Sequence, residues 1–343
     1  MTPLFLGLAG PVLTPEERAL FASSDPAGYI VFARNCIDAD QLRALTDSLR
    51  DLAGRDVAIL IDQEGGRVAR MKPPHWPAFP AQGCFAALYD RAPVSALEAA
   101  RVNAEAIALT LRAVGINVDC LPLLDVPAAD GHGIIGDRAF GPDPLWVASL
   151  GKAVLDGLRS RGVCGVVKHI PGHGRARVDS HLDLPVVEAS REELETDFAP
   201  FRALSDAPMA MTAHVVYTAL DPVRCATLSP AVIDEIIRGN IGFDGLLMSD
   251  DLGMKALGGQ GQAGGNAVAD FGARALNALD AGCDIALHCS GDFAEMRAIV
   301  EAVPQIAEAA AARLDCAMAW AANPDPREIA DLIAKRDALL ALA

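Results

Sequence analysis

Residues 164–181, CGVVKHIPGHGRARVDSH, join a short apolar run to a loop rich in glycine, proline and arginine. The run has the length and β-branched content of a buried strand, and it ends in Lys168 and His169. In barrel enzymes the residues that carry the chemistry follow the carboxyl ends of buried parallel strands. The stretch therefore predicts a functional loop at the end of a central strand.

The same pattern of a short apolar run, polar residues and a longer segment of helical periodicity recurs along the whole chain. Alternating strands and helices indicate a parallel sheet with helices outside it. Eight strands favour a (β/α)8 TIM-type barrel, and neither a GxGxxG nor a Walker-type motif supports an open doubly wound sheet. Whether the strand order is irregular stays open. The predicted strands are PLFLGL, GYIVFA, VAILID, INVDCLPLL, CGVVKHI, MAMTAH, GLLMSD and CDIALHC.

Helix signals separate the strands. Residues 293–342 continue as helical segments without another strand signal, and we expect them to pack beside the barrel. No low-complexity linker divides the chain, so residues 1–343 are expected to form a single catalytic domain. The amphipathic segments are 38–52, 95–114, 144–161, 190–204 and 230–238, with caps at Thr14, Ser190 and Ser229 and stops at Gly115, Gly162 and Gly282.

Composition excludes several classes of partner. The 343 residues include 29 basic and 45 acidic side chains, a net charge of −16, which argues against nucleic acid or an anionic membrane. The eight dispersed cysteines form no CxxC pair and are expected to be buried free thiols. The N-terminal apolar segment lacks a basic region, and residues 207–220 are too short to span a bilayer, so a cytoplasmic location is the default expectation.

Ionisable residues converge at the predicted strand ends. Asp250 ends the seventh run, where it is either a catalytic carboxylate or a helix cap. Because strand side chains alternate, Asp250 and Asp251 are not both expected to face the site, and Asp251 is the better cap. Asp179 stands two residues before His181 and can fix its tautomer, so that His181 handles a proton; the alternative is an exposed loop histidine. A proton shuttle and a nucleophile are what retaining glycoside cleavage needs.

A polar substrate would explain the other charged groups. A lysine on a buried strand, such as Lys168 beside His169, is rare without a ligand or partner. Arg138 either pairs with Asp137 at the surface or clamps a substrate.

The order IDQEGGRVARM (61–71), IGDRAFG (135–141), KHIPGHGRARVDSHLDLP (168–185), TAHV (212–215) and LLMSDDLGM (246–254) resembles the family 3 glycoside hydrolases. The PGHG motif followed by DSH is similar to that of the bacterial β-N-acetylglucosaminidases of peptidoglycan (cell-wall) recycling. This resemblance implies a cytoplasmic enzyme that releases N-acetylglucosamine (GlcNAc) from GlcNAc-1,6-anhydro-MurNAc, with or without peptide. It implies no metal, no cofactor and no obligate protein partner.

The resemblance also implies residue roles. Asp250 would be the nucleophile that forms a covalent glycosyl-enzyme, and His181 the general acid/base, oriented by Asp179. The non-reducing sugar would be held by Asp62, Arg138, Lys168 and His169, with Arg70 also lining the pocket. Arg175 and Arg177 would either contact an acidic muramyl peptide or be solvated.

The same residues are also compatible with two other enzyme functions. In a β-N-acetylglucosaminide phosphorylase of the same fold, phosphate would replace water, because a neutral histidine repels phosphate less than a carboxylate does. In a metal-dependent amidohydrolase, Lys168, His169, His214 and Asp250 would form a metal site, but the loop after strand one contains no His-x-His.

Overall fold

The computed structural model describes residues 1–128, 133, 135–176, 180, 183–258, 271–321 and 328–343. Short, almost entirely buried strands form its centre. They are β1 (Thr2–Gly7), β2 (Pro26–Val31), β3 (Ala58–Ile61), β4 (Val118–Asp119), β5 (Cys164–Ile170), β6 (Val186–Val187), β7 (Met209–Thr212), β8 (Val216–Tyr217), β9 (Leu246–Met248) and β10 (Ala286–His288).

Eight of these strands form a nearly closed parallel barrel. They are hydrogen-bonded in the order β10-β1-β2-β3-β4-β5-β7-β9, while β6 and β8 form a separate parallel pair. A parallel bridge between Met248 and Ile285 joins β9 to β10. The order around the barrel follows the order along the chain, which confirms the predicted TIM-type barrel and shows that its strand order is regular.

The fourth barrel strand is shorter than predicted. Of residues 116–124, only Val118 and Asp119 belong to a strand, and Leu123 makes one further bridge to Lys168. Pro122 has no N–H to donate, so the regular ladder does not continue through it.

Helices surround the barrel where the periodicity predicts them. Four of the five predicted segments match helices within two residues, and the fifth is a π-helix, Val232–Asn240. Among the described residues, no helix is long and apolar enough to cross a membrane. The helices are α1 (Pro15–Ser24), α2 (Ala39–Ala53), α3 (Gly83–Tyr89), α4 (Pro93–Ala113), α5 (Pro144–Ser160), α6 (Arg191–Ala203), α7 (Lys255–Gly258), α8 (Phe271–Asp280), α9 (Phe293–Ala302), α10 (Glu308–Ala319) and α11 (Ile329–Leu340).

The predicted helix caps and stops are present. Thr14 and Ser190 form capping boxes, and the Ser229 hydroxyl accepts a hydrogen bond from the Val232 N–H at 3.2 Å. The three predicted stops have positive φ, which favours glycine: Gly115 (+79°), Gly162 (+77°) and Gly282 (+115°).

Both faces of the barrel strands are buried. In β1, Phe5 belongs to the cluster inside the barrel, whereas Leu4 and Leu6 belong to the cluster between strands and helices. Leu314 and Ala317 of α10 join the inner cluster. Since Ile306, just before α10, donates to the carbonyl of Met1, this helix lies at the amino-terminal end of the barrel. The C-terminal helices therefore pack on the barrel, as predicted.

All eight cysteines are free thiols, but not all are buried. Cys84 and Cys316 are exposed, and Cys36 and Cys289 are partly exposed. The prediction of buried thiols is correct only for Cys120, Cys164, Cys225 and Cys283. An apolar neighbourhood in sequence does not show how far a cysteine side chain is exposed.

Candidate active site

A cavity of about 330 Å³ opens at the carboxyl ends of the barrel strands. Charged side chains form part of its wall, and apolar ones such as Ile30, Met211 and Leu287 form the rest. Asp179 and His181 lie outside the described residues. The other predicted site residues all line this one cavity: Asp62, Arg70, Arg138, Lys168, His169 and Asp250.

Five side chains of alternating charge are linked in one row along the cavity wall. The row runs from Arg138 to Glu64, Lys168, Asp62 and Arg70. Arg138 donates to Glu64 through Nε and Nη2, each at 2.8 Å. The Lys168 ammonium lies 2.7 Å from Glu64 Oε1 and 2.9 Å from Asp62 Oδ1. Arg70 Nη2 donates to Asp62 Oδ2 at 2.9 Å.

The row shows which residue Arg138 pairs with. The guanidinium does not pair with its neighbour Asp137; Asp137 is paired with Arg67 instead, at 3.0 Å. The partner of Arg138 is Glu64, 74 residues away in sequence.

The row is held in its ionised form. Burial alone would raise the pKa of Asp62, but Lys168 and Arg70 outweigh it and hold that pKa below its usual value. Burial would also raise the pKa of Glu64, which Lys168 and Arg138 lower. Burial alone would lower the pKa of Lys168, but the two carboxylates raise it. The site therefore presents fixed charges whose donors and acceptors are aligned before a ligand arrives.

His169 is held by a carboxylate whose pairing with it the sequence did not reveal. Asp125 is fully buried, and its Oδ2 lies 2.8 Å from His169 Nδ1. Its Oδ1 accepts from the backbone N–H of His169 at 3.2 Å and of His173 at 2.7 Å. Burial alone would raise the pKa of Asp125, but His169 and His173 lower it to about 2.

His173 connects this carboxylate to the loop that follows β5. Its ring Nε2 lies 3.2 Å from the hydroxyl of Ser180, and burial lowers its pKa to about 4, so the ring is neutral. Ser180 is buried, lines the cavity and accepts through its carbonyl from Ala256 N. Ser180, which stands between Asp179 and His181 in sequence, is itself held at the cavity by these contacts.

Asp250 and Asp251 both line the cavity, contrary to the expectation that only one would. The strand β9 ends at Met248, so strand alternation no longer governs these two residues. Asp250 Oδ1 accepts from the N–H of Asp251 at 2.8 Å. Asp251 Oδ1 accepts from the backbone N–H groups of Gly253 and Cys289, each at 3.0 Å. The next helix begins only at Lys255, so these contacts are not the helix cap predicted for Asp251.

The residues of the alternative metal site have other partners. His214 Nδ1 lies 2.7 Å from the Thr227 hydroxyl, and Nε2 lies 3.0 Å from the Asp251 carbonyl. Lys168 is bound to two carboxylates. Within the described part of the chain, no three His, Cys, Asp or Glu side chains are grouped as metal ligands.

Arg175 has two partners in helix α6. Its Nε lies 2.6 Å from Asp197 of α6, and its Nη2 donates to the Glu193 carbonyl. It is therefore bound to α6 and is not simply solvated. Arg177 lies outside the described residues.

Sequence reasoning gave Glu64 and Asp125 no role beyond a place at the strand ends. Glu64 stands two residues after the predicted Asp62 and directly before Gly65, where a Cβ would lie 2.2 Å from the carbonyl oxygen of Pro80. This close approach favours glycine and packs the Glu64 segment tightly. Asp125 ends a long apolar run, and that signal marks it as a strand-end residue without showing its partner.

Comparison with known proteins agrees with this geometry. The glycosyl hydrolase family 3 N terminal domain matches residues 12–319. A beta-hexosaminidase of Aromatoleum aromaticum is 37% identical over 327 residues, 94% of this chain and 89% of that protein. A beta-hexosaminidase of Alkalilimnicola ehrlichii is 41% identical over 84% of this chain and 80% of its own.

The structural comparison points the same way. The crystal structure of NagZ from Neisseria gonorrhoeae in complex with N-trifluoroacetyl-D-glucosamine superposes with a TM-score of 0.85. It is 31% identical, and the match covers 100% of this chain and 98% of that one. The family match spans most of the barrel that carries the cavity. The chain belongs to glycosyl hydrolase family 3 and is a glycoside hydrolase.

Proposed function

We propose that the protein is a retaining β-N-acetylglucosaminidase, a β-hexosaminidase. In this proposal it removes the non-reducing GlcNAc from GlcNAc-1,6-anhydro-MurNAc, with or without peptide, during peptidoglycan recycling in the cytoplasm. The observation that carries the proposal is the cavity in which Asp250 lies with Asp62, Arg138, Lys168 and His169. The names of the curated relatives and the N-trifluoroacetyl-D-glucosamine bound to the Neisseria protein support the sugar. The motif resemblance supports the recycling role and the cytoplasmic location.

The charged row would bind the sugar before reaction. Lys168 and Arg138 would donate to hydroxyl or acetamido oxygens, and the Asp62 carboxylate would accept from a hydroxyl. His169 would offer its second ring nitrogen, since Nδ1 is engaged by Asp125. Arg70 holds Asp62 from the other side.

Asp250 would be the nucleophile. Its Oδ1 accepts from the Asp251 N–H, which restrains rotation of the carboxylate. Attack on the anomeric carbon would break the bond to the aglycone oxygen, which takes a proton from His181, oriented by Asp179. His181 would then accept a proton from water as that water attacks the glycosyl-enzyme. Two inversions at the same carbon retain its configuration.

A histidine in place of the usual second carboxylate has a physical reason in this site. Asp250 and Asp251 already bring two anionic groups to the cavity. A histidine ring is an imidazolium before it donates the proton and a neutral imidazole afterwards, so in neither form does it add negative charge beside them or beside an anionic muramyl substrate. His181→Glu is therefore expected to lower turnover, and undiminished turnover would contradict this reason.

The test is the initial rate on a chromogenic aryl β-N-acetylglucosaminide beside the matching β-glucoside. We expect turnover of the acetamido sugar only, and its loss in Asp250→Ala. Azide should restore bond cleavage in that variant and give the α-glycosyl azide, because an external anion replaces the missing nucleophile. A wild-type protein inactive on both sugars would refute the proposal.

The same assay distinguishes water from phosphate as the acceptor. Hydrolysis gives GlcNAc whether phosphate is present or not, and this is the expected result. GlcNAc-1-phosphate formed in phosphate buffer would show a phosphorylase instead.

A further inference from the structure

Glu64 joins three separate segments of the chain at the cavity wall. It follows β3, Lys168 lies in β5, and Arg138 ends the short helical turn Gly136–Arg138. Its carboxylate contacts both cations, at 2.7 Å to the Lys168 ammonium and 2.8 Å to two nitrogens of Arg138. One anionic group thus sets the positions of two cationic groups that face the same cavity.

Glu64 itself has little capacity left for a ligand. Its Oε1 accepts from Arg138 Nη2 and lies 2.7 Å from the Lys168 ammonium, its Oε2 accepts from Arg138 Nε, and its side chain is only 2% exposed. With Arg138 bound to both oxygens and the Lys168 ammonium beside Oε1, little of the acceptor capacity of the carboxylate remains for a ligand.

The two cations, by contrast, keep donors for a ligand. Lys168 has three N–H groups; it donates one to Asp62 and forms an ion pair with Glu64. Arg138 uses Nε and Nη2 for Glu64, and its Nη1 has no hydrogen bond to any residue that the structure describes. The contacts with Glu64 therefore set the direction of the N–H groups of Lys168 and Arg138 that remain for a ligand.

The two cations depend on Glu64 to different degrees. Lys168 is also held by Asp62. Within the described ranges, the guanidinium of Arg138 has hydrogen bonds to Glu64 alone. Loss of the carboxylate should therefore release Arg138 more than Lys168.

We infer that Glu64 is a positioning residue for substrate binding, which aligns the donors of Lys168 and Arg138 with the sugar without touching it. The inference rests on the proposed function, since it takes these two cations as the groups that bind the non-reducing sugar. The inference goes beyond that function by adding Glu64, which acts on the substrate through Lys168 and Arg138.

Glu64→Gln tests the role with almost unchanged shape. The amide offers one acceptor oxygen, and its NH2 group cannot accept from either cation, so the bidentate contact with Arg138 is lost. We expect KM for the aryl β-N-acetylglucosaminide to rise roughly 10- to 100-fold while kcat changes less than about threefold, as for a loss of uniform binding. The inhibition constant of free N-acetylglucosamine should rise by the same factor.

Glu105→Gln is the matched control. Glu105 is also buried and paired with arginines, Arg101 and Arg161, but it lies in α4 and does not line the cavity. This variant should lose thermal stability while KM stays within about twofold of the wild-type value. Glu64→Asp, which keeps the charge, should recover part of the affinity that Glu64→Gln loses.

A double-mutant cycle tests whether Glu64 affects substrate binding through Arg138. If Glu64 acts through Arg138, the increase in KM caused by Glu64→Gln should be smaller in an Arg138→Met background. An equal increase in both backgrounds would overturn the inference, as would unchanged KM and inhibition constant in an active Glu64→Gln protein. If Glu64→Gln does not fold, KM and the inhibition constant are measured for Glu64→Asp instead, provided that its Tm equals that of the wild type. A wild-type protein inactive on the acetamido sugar would overturn the proposed function, and this inference with it.

Discussion

Replacing Asp125 with asparagine should uncouple His169 from its support while keeping the side-chain shape. A carboxylate only accepts, so His169 Nδ1 is the donor in their 2.8 Å contact and Nε2 is left for a ligand. Asp125 also accepts from two backbone N–H groups, of His169 and His173. An amide cannot accept in all three directions.

Each orientation of the new amide has a cost. If its oxygen accepts from the backbone N–H groups, its NH2 faces His169 Nδ1, and the ring proton must move to Nε2. If the oxygen faces Nδ1, the NH2 meets the two backbone donors. The hydrogen-bonding character that His169 offers to a ligand therefore changes, or the peptide segment shifts.

The magnitude follows from the charge that is lost. A hydrogen bond to a charged group contributes ~1.5–3 kcal/mol, which corresponds to roughly 10- to 150-fold in kcat/KM if it supports the reacting complex. The pKa of Asp125 is lowered from 3.8 to about 2. This shift of nearly two units is equivalent to about 2 kcal/mol of stability. Because the pKa is lowered, that stability is present above pH 4 and is lost as the pH falls towards 2.

The assay combines rate and unfolding. We would measure kcat/KM on the aryl β-N-acetylglucosaminide and the free energy of unfolding at pH 7 for wild type and Asp125→Asn. Asp221→Asn is the control, because Asp221 also accepts from two backbone N–H groups and a hydroxyl, but away from the cavity. It should lose stability without loss of kcat/KM. An Asp125→Asn protein that behaves in the same way would refute the role of Asp125 in supporting His169.

Three further perturbations test other parts of the structure. Burial raises the pKa of Asp119 from 3.8 to about 8, so wild-type stability falls as the pH rises between these values, and Asp119→Asn should gain up to about 4 kcal/mol over wild type at pH 7 in chemical denaturation. Lys168→Met leaves two buried carboxylates without their shared cation and should lower the free energy of unfolding by ~3–5 kcal/mol, a loss that a denaturant series at neutral pH would show. In Gly174→Ala the new Cβ would lie 1.8 Å from the Val126 carbonyl oxygen, so the loop must shift and kcat/KM should fall roughly 100-fold. Gly10→Ala, with no atom within 4 Å of its Cβ, should match wild type in the same assay.

Sequence alone predicted the elements and most of the cavity residues, because both depend on local signals. Apolar runs with helical segments between them identified eight barrel strands, and positive-φ glycines marked helix ends. Polar residues at strand ends converge in any parallel barrel, so Asp62, Lys168, His169 and Asp250 could be placed together before the structure was known. The motif resemblance added the roles proposed for Asp179 and His181, which lie outside the described residues.

Only the tertiary structure decided which charged groups pair. Arg138 has an acidic neighbour in sequence, yet it binds Glu64, 74 residues away, and Asp125 binds His169 across 44 residues. Pairing depends on how loops from different strands approach each other at the end of the barrel, and no periodicity in the sequence encodes that approach. The same reason explains why Asp250 and Asp251 both line the cavity, since alternation ends where the strand ends. The sequence determined the barrel and the residues at its mouth, and the packing of the loops decided which of them hold one another in place.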